Sequence, residues 1–246
     1  MRAMILAAGL GTRLRPLTDD RPKALVEING RTLLEITLAR LRDFGVRDVV
    51  INVYHFADMV IGYVQRNEFG MRIEISREQE LLDTGGGLKR ASRFFLEDNS
   101  DEPFLVHNVD VLSTIDLPRM VHLHRGRDAL ATLAVKQRET SRQLLFDDQV
   151  QLCGRKSGGS EAELVRTAPH WQTLAFCGIH VISPRIFAMM PEEGAFSIIT
   201  TYLRLAAQGE KVLGFRADEY YWRDVGKPES VLEAANDLRQ GAAEID

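Results

Sequence analysis

The chain has 246 residues, 45% of them hydrophobic, and a formal net charge of −4 at pH 7. This length and apolar content suffice for one large α/β domain with a sizeable core. Lysine and arginine are spread along the chain without a basic block, and no segment approaches the roughly 20 apolar residues of a membrane span. We therefore expect neither a nucleic acid nor a membrane as a partner.

The cysteine content and the amino terminus favour a cytoplasmic location. Cys153 and Cys177 are the only cysteines, so at most one disulfide could form, and neither lies in a metal-binding spacing such as CxxC. The first apolar run is only about half as long as a signal-peptide core before glycines interrupt it. We expect a reduced cytoplasmic compartment, with both thiols structural.

Apolar strands alternate with amphipathic helices in the first half of the chain. This alternation predicts an α/β fold with a Rossmann-like, mostly parallel sheet that is covered by helices on both faces. Leucines recur at helical spacing at positions 34, 38 and 41, which predicts a helix that ends at Gly45. We predict strands over residues 2–7, 48–53, 71–76, 103–107 and 129–135.

The stretch 141–183 breaks this rhythm. Polar and glycine-rich residues separate strand-like pieces near 143–153 and 173–182, so we predict a small β insertion over the edge of the sheet and not a second domain. Two more helices follow, one between Ser197 and Gly209 and one over 228–238.

The run LAAGLGTRLRPLTDDRPK at residues 6–23 directly follows the first predicted strand. Gly9 and Gly11 allow positive φ and unhindered N–H groups, which bring a backbone close to phosphate oxygens. Arg13 and Lys23 add positive charge. A polyphosphate ligand is therefore the leading hypothesis for this loop.

Other interpretations of the loop remain to be weighed. A GxG alone is equally typical of a tight turn between a strand and a helix. The four cations of the run, Arg13, Arg15, Arg21 and Lys23, could also form a solvated loop. The dinucleotide fingerprint needs a third small residue where this chain has Leu14, and the P-loop signature GK[ST] does not occur. Neither common nucleotide-binding motif fits, which also disfavours a Rossmann oxidoreductase.

The run resembles the pattern LAxGxGTRxxPxTxxxPK of the nucleotidyltransferases that join a nucleoside triphosphate to a sugar 1-phosphate. Every fixed position of the pattern is occupied, by Leu6, Ala7, Gly9, Gly11, Thr12, Arg13, Pro16, Thr18, Pro22 and Lys23. The resemblance continues through Thr84-Gly85-Gly86-Gly87, Asn108-Val109-Asp110 and Trp222-Arg223-Asp224-Val225-Gly226, so it spans nearly the whole chain.

The resemblance implies the nucleotide-diphospho-sugar transferase fold as a single domain over 1–246. Its nucleotide-binding part would cover about 1–135 and a sugar-binding β insertion about 136–195. The nucleotide and sugar 1-phosphate would be its ligands, and Mg²⁺ its cofactor. Relatives often have glycine where this chain has Val109. The valine would make the end of the strand tighter and so alter the local metal geometry.

The resemblance also implies roles for single residues. Arg13 would hold the β- and γ-phosphates and Lys23 would lie near the α-phosphate, while Asp110 and Asp224 would be the magnesium ligands. A lone aspartate is more often a turn or cap residue, so only the joint pattern supports a metal site. The nucleotide would contact Leu6, Ala7, Gly9, Gly11, Thr12, Arg13, Lys23, Gly85, Gly86 and Asn108, and the sugar would contact Asn108 and Gly178.

Three further expectations concern chemistry and substrates. The three glycines from Gly85 would form a loop that reads the base and ribose, with a flexible entrance to the following helix as the alternative. His107 would have a local structural role. A sugar phosphate is mostly dianionic at pH 7, so no general base is needed. No residue stands out as the cationic partner of that phosphate.

The compact TGGG form resembles family members that use UTP with N-acetylmuramate 1-phosphate or another amino-sugar phosphate. Members that use GTP with mannose or heptose 1-phosphate share much of the pattern and are the alternative. A catalytically silent subunit that senses a nucleotide sugar is an alternative of another class, although it would not need to keep Arg13, Lys23, Asp110 and Asp224 together.

Overall fold

Most apolar runs of the sequence form strands of one large sheet. The structure is a computed structural model that describes residues 1–98 and 100–241, so residues 242–246 of the predicted domain lie outside the described part. The strands are β1 (Arg2–Leu6), β2 (Glu27–Ile28), β3 (Arg31–Thr32), β4 (Asp48–Val53), β5 (Arg72–Arg77), β6 (Phe104–Asn108), β7 (Val111–Ser113), β8 (Ala131–Lys136), β9 (Arg142–Phe146), β10 (Leu152–Ser157), β11 (Glu163–Leu164), β12 (Gln172–Ile182), β13 (Val212–Arg216) and β14 (Trp222–Asp224).

Helices connect these strands, and the helices predicted after Ser197 and over 228–238 are confirmed. Ser197 caps its helix, because its Oγ accepts a hydrogen bond from the N–H of Ile199 at 3.3 Å. The α-helices are α1 (Leu33–Asp43), α2 (Ala57–Arg66), α3 (Asp83–Arg90), α4 (Ser92–Leu96), α5 (Leu117–Gly126), α6 (Ile198–Ala207) and α7 (Pro228–Arg239), and short 3₁₀ helices cover Thr12–Leu14, Lys23–Leu25 and Pro184–Met189.

The central part of the sheet has the strand order β5-β4-β1-β6-β12-β8-β13. Neighbouring strands are parallel except at β12, which is antiparallel to both β6 and β8. The predicted mostly parallel α/β sheet is confirmed.

Side chains alternate between the two faces of the sheet and build a hydrophobic core on each face. Ile5 of β1 belongs to one core, together with side chains of α1, α2, α5 and α7. Its neighbour Met4 belongs to the other core, together with side chains of α3, α4 and α6. Because helices cover both faces, ligands can reach the sheet only at the ends of its strands.

The prediction for residues 141–183 is wrong in its second half. Strands β9, β10 and β11 do form an antiparallel unit at the edge, and residues 172–174 pair with β9. Residues 179–182, however, pair with β6 on one side, and residues 175–176 and 180–182 pair with β8 on the other. The apolar run of β12 is that of a strand buried on both faces, which the glycine-rich stretch before it concealed.

The other expectations about composition can be compared with the described ranges. None of the helices in residues 1–98 and 100–241 is long and apolar enough to cross a membrane. Cys153 and Cys177 are both buried and are not joined to each other. Burial raises the pKa of the Cys177 thiol to about 12, so this side chain behaves as a core residue.

Candidate active site

The candidate active site is a pocket at the carboxyl ends of β1 and β6, where open α/β sheets bind their ligands. The two strands are paired so that Leu6 lies opposite Asn108, and the loops that follow them face each other. The pocket has a volume of about 410 Å³ and is lined by Leu6, Ala7, Ala8, Gly9, Lys23, Asn52, Leu81, Asp83, Thr84, Asn108, Val109, Asp110 and Ala195.

The loop after β1 folds back so that Lys23 returns to the pocket. Gly11 has φ = 66°, and its backbone oxygen accepts a hydrogen bond from Thr18 Oγ1 at 2.8 Å. A Cβ on Gly11 would lie 3.1 Å from Thr18 Cγ2 and 3.3 Å from Lys23 Cβ, so a side chain here would be both strained and crowded. Arg13 lies in the short helix Thr12–Leu14 directly after this turn.

The two predicted cations contact the two predicted carboxylates. The Lys23 ammonium donates to Asp110 Oδ2, and both side chains are largely buried. Arg13 Nη2 lies 3.9 Å from Asp224 Oδ2, and both of these side chains are more exposed. The N–H of Val225 donates to the backbone oxygen of Asp110 at 2.7 Å, which ties the two carboxylate-bearing segments together.

Asp224 lies in a site that favours a bound cation. Burial raises the pKa of this carboxyl, the negative charge of Asp110 raises it further, and the nearby cations oppose the shift. Its Oδ1 is buried and has no hydrogen-bond partner among the described residues. A Cβ on Gly226 would lie 2.7 Å from both Asp224 Oδ1 and Arg13 Nη2, so only glycine leaves this oxygen free.

The glycines after Thr84 lie in the first part of α3, so our prediction of a loop is wrong. The N–H groups of Gly85 and Gly86 both donate to the backbone oxygen of Phe196, at 2.8 and 3.3 Å. A Cβ on Gly85 would lie 2.4 Å from the Phe196 ring, and one on Gly86 would lie 2.3 Å from the oxygen of Gly194. These glycines serve close packing and do not line the pocket, and a contact with the base stays a prediction.

A buried polar network next to the pocket was missed by sequence reasoning. Asn52 Oδ1 accepts from the N–H of Ala7 at 2.8 Å, and Asn52 Nδ2 donates to Glu78 Oε1 at 2.7 Å. Glu78 Oε2 accepts from the N–H of Leu82 at 3.0 Å. The network links the loop after β1 to the segment before α3. Its signal was an asparagine that follows the apolar run VVI within the strand DVVINV.

Gly178 lies beside Asn108, the other residue predicted to contact the sugar. Gly178 has φ = 77°, and a Cβ on it would lie 2.8 Å from Asn108 Nδ2. The pairing of β12 with β8 is irregular between Phe176 and His180. The backbone oxygen of Cys177 accepts a hydrogen bond from Trp222 Nε1 at 2.8 Å, which brings β14 to this irregular segment.

His107 is buried beneath the pocket in the core. Burial and the positive charge of Arg40 lower its pKa to about 3, so the imidazole is neutral at pH 7. Its Nδ1 lies 2.8 Å from the backbone oxygen of Asn108, where the neutral ring donates a hydrogen bond. This contact supports a local structural role.

A second cavity of about 550 Å³ contains none of the predicted site residues. It lies between α1 and the start of α5 and is lined in part by Phe44, Ser113 and Tyr220. Arg40 also lines it and donates to the backbone oxygen of Ile115 at 2.6 Å. Burial lowers the pKa of this arginine to about 10. Of the two cavities, only the smaller one is lined by the predicted lysine and aspartate, Lys23 and Asp110.

Known proteins with similar sequences and structures show the family and the fold. Residues 2–144 match the Nucleotidyl transferase family. N-acetylmuramate alpha-1-phosphate uridylyltransferase from Caulobacter vibrioides is 38% identical over 241 residues, which cover 94% of each chain. Mannose-1-phosphate guanyltransferase from Yarrowia lipolytica is 31% identical over 237 residues, which cover 94% of this chain and 62% of that enzyme.

The crystal structure of HddC from Yersinia pseudotuberculosis complexed with GMP-PN has the same fold. Its TM-score is 0.76 at 23% identity, and the match covers 96% of this chain and 99% of that one. This fold and the family match over residues 2–144 together define an α/β enzyme that acts on nucleotides. The chain belongs to the Nucleotidyl transferase family and is a nucleotidyltransferase.

Proposed function

We propose that the chain transfers a nucleoside monophosphate from UTP to N-acetylmuramate 1-phosphate or another amino-sugar 1-phosphate. The observation that carries the transfer reaction is the meeting of Lys23, Asp110, Arg13 and Asp224 beside one pocket at the strand ends. The choice of substrates is supported by the 38% identity to the Caulobacter uridylyltransferase over 94% of both chains.

The reaction needs positioning and positive charge more than a protein nucleophile. An oxygen of the sugar phosphate attacks the α-phosphorus of the nucleotide, a new P–O bond forms, and the bond to the leaving pyrophosphate breaks. A sugar phosphate is mostly dianionic at pH 7, so no proton has to be removed first. Both reactants are anions, so we assign Lys23 to the reacting centre and Arg13 to the departing phosphates.

The residues present fit a magnesium ion. Asp110 and Asp224 supply hard oxygen donors, and the buried Oδ1 of Asp224 has no hydrogen-bond partner among the described residues. Within residues 1–98 and 100–241, no three His, Cys, Asp or Glu side chains form a metal cluster, so two carboxylates would be the protein's contribution. Bound Mg²⁺ would neutralise charge on the phosphate oxygens.

A pyrophosphate-release assay tests the proposed function. The purified chain is incubated with Mg²⁺, each of the four nucleoside triphosphates, and a panel of sugar 1-phosphates, and released pyrophosphate is detected with pyrophosphatase. We expect the highest kcat/KM for UTP with an amino-sugar 1-phosphate. Absence of release with every pair, together with binding of a nucleotide sugar, would instead indicate a silent sensor subunit.

The second candidate is a guanylyltransferase for mannose or heptose 1-phosphate. The observation that favours it is the 31% identity to the mannose-1-phosphate guanyltransferase of Yarrowia lipolytica. Backbone groups can match a pyrimidine or a purine according to the shape of the pocket, and a wrong base leaves buried groups unpaired. Far higher kcat/KM for GTP with mannose 1-phosphate than for UTP with any amino-sugar phosphate would replace our first assignment.

A further inference from the structure

Arg138 lies between two segments that flank the catalytic residues. It follows β8, and its guanidinium carbon lies 4.4 Å from the centroid of the Trp222 ring. Its Nη2 donates to the backbone oxygen of Phe176 at 3.1 Å. Trp222 is two residues before Asp224, and Phe176 is two residues before Gly178. The guanidinium therefore contacts the segments that carry Asp224, a predicted metal ligand, and Gly178, a predicted sugar contact.

The charge of Arg138 has no carboxylate partner in the described part of the chain. No Asp or Glu oxygen of these residues lies within 4.0 Å of its guanidinium, whereas Arg204 and Arg223 each contact a carboxylate at 2.7 Å. Its Nε is buried without a hydrogen-bond partner. The side chain is half-buried, and a buried donor such as this Nε is costly unless a hydrogen-bond acceptor joins it.

The hydrogen bond to Phe176 does not account for the whole side chain. An arginine has five N–H donors in a planar fork, and the described residues accept from Nη2 of Arg138 alone. The Trp222 ring fixes the plane of the fork without using its donors. The remaining donors suit a planar or tetrahedral oxyanion such as a carboxylate or a phosphate.

The position of Arg138 favours the sugar substrate over the nucleotide. The pocket lined by the loop after β1 does not include Arg138, Phe176 or Trp222. They lie instead with Gly178 and Asp224, on the side of β12 and β14. The positive charge of Arg138 still reaches Asp224, where it acts in the same direction as the charges of Arg13 and Lys23.

We propose that Arg138 binds an oxyanion of the sugar substrate, either its 1-phosphate or a carboxylate substituent. This inference rests on the proposed function, because it takes a sugar 1-phosphate as the second substrate. Arg138 is then the cationic partner of the sugar substrate, which could not be identified from the sequence. The Trp222 ring orients the guanidinium towards the substrate.

Steady-state kinetics of Arg138→Gln test the proposal. Glutamine keeps an N–H donor for the Phe176 oxygen and removes the charge, so the packing of β12 is maintained. We expect KM for the sugar 1-phosphate to rise about 10- to 100-fold, as the loss of a charge-assisted hydrogen bond would produce. The Kd for the nucleoside triphosphate should stay within about twofold, and Arg138→Lys should restore part of the lost affinity.

The matched control is Arg216→Gln. Arg216 is a surface arginine whose Nε lies 2.6 Å from Asp218 Oδ2, and we expect unchanged KM for both substrates. A merely structural role of Arg138 would lower Tm and weaken both substrates together, with no rescue by lysine. That outcome, or unchanged sugar KM in Arg138→Gln, would overturn the proposal.

Two substrates distinguish the source of the oxyanion. N-acetylglucosamine 1-phosphate lacks the carboxylate that N-acetylmuramate 1-phosphate carries. An equal rise in KM for both would identify the 1-phosphate, and a rise for the muramate alone would identify the carboxylate. Turnover by the wild type with unchanged KM in Arg138→Gln removes only this inference, whereas no turnover by the wild type removes the proposed function and this inference with it.

Discussion

Lys23 and Asp110, 87 residues apart in sequence, form an ion pair within the pocket that both side chains line. Each partner was expected to contact a ligand, Lys23 a phosphate and Asp110 a metal ion. The pair has no net charge, and it lies in a largely buried place where either charge alone would be costly. Under the proposed function, substrate binding replaces this contact. Lys23 then pairs with a phosphate in place of the carboxylate, and Asp110 pairs with the metal ion in place of the ammonium.

The two carboxylates should be needed for turnover but not for folding. Replacing Asp110 or Asp224 by Asn removes a negative charge that the metal needs, so we expect kcat to fall about 10²-fold or more. The assay is run at fixed free Mg²⁺, with circular dichroism to verify folding. Asp58→Asn is the control, since Asp58 is exposed and pairs only with Arg77 among the described residues. Near-wild-type turnover of Asp224→Asn would exclude a site made by both carboxylates.

Lys23 and Arg13 should differ in the kinetic constant that they control. Lys23→Ala should depress kcat, because Lys23 is assigned to the reacting centre, whereas Arg13→Ala should also weaken triphosphate binding. Isothermal titration measures that affinity, with Arg21→Ala as a control because Arg21 pairs with Asp20 on the surface. Unchanged affinity in both variants would mean that the loop after β1 does not hold the nucleotide.

Gly86→Ala should destabilise the fold through steric overlap alone. The new Cβ would lie 2.3 Å from the backbone oxygen of Gly194, so α3 or its neighbour must shift, at a cost of about 1–3 kcal/mol. Calorimetry should show Tm lower by several degrees. Gly126→Ala, where a Cβ meets nothing within 4 Å, is the matched control and should not lower Tm. Equal Tm values for the two variants would contradict the packing role.

Buried histidines should make the fold less stable in mild acid. Burial lowers the pKa of His107 and His180 to about 3 and that of His124 to about 4. In the unfolded chain these groups take up protons below about pH 6.5, so the unfolded state binds more protons between about pH 6.5 and pH 4. The free energy of unfolding therefore falls as the pH falls through this window.

Urea titrations at pH 7 and pH 5 measure this effect for single histidines. The stability difference between the two pH values should shrink by more than about 1 kcal/mol in His124→Asn, because one such group is removed. His122→Asn is the control, since His122 is exposed. An identical difference in the wild type and in His124→Asn would show that His124 takes up its proton equally in both states.

The sheet and the loop after β1 could be predicted from sequence because their signals are local. Apolar runs with regular spacing predict strands. The loop after β1 contains Gly9, Gly11, Arg13 and Lys23 within 15 consecutive residues. Contacts between distant segments left weaker signals. The spacing of residues does not say that β12 enters the middle of the sheet, or that Gly86 faces Gly194.

Arg138 illustrates what the sequence could not predict. It is one of many charged residues after a strand, and nothing near it in sequence marks it as different. Its distinction arises from Trp222 and Phe176, which come from other parts of the chain and enclose it. Asn52 differs, because a polar residue within a buried strand can be recognised in the sequence. Its partner Glu78 could not be predicted.

The position of β12 limits how substrate preference could be exchanged between relatives by engineering. A chimera that replaces residues 136–195 as a block would swap a strand that forms ladders with both β6 and β8, and thereby both hydrophobic cores. The hairpin unit β9–β11 pairs with residues 172–174 and packs Phe146 and Leu152 into only one of the two cores, so grafting it disturbs less of the protein. Recombination for new sugar acceptors should therefore cross over at the ends of that hairpin unit and leave β12 with its native neighbours.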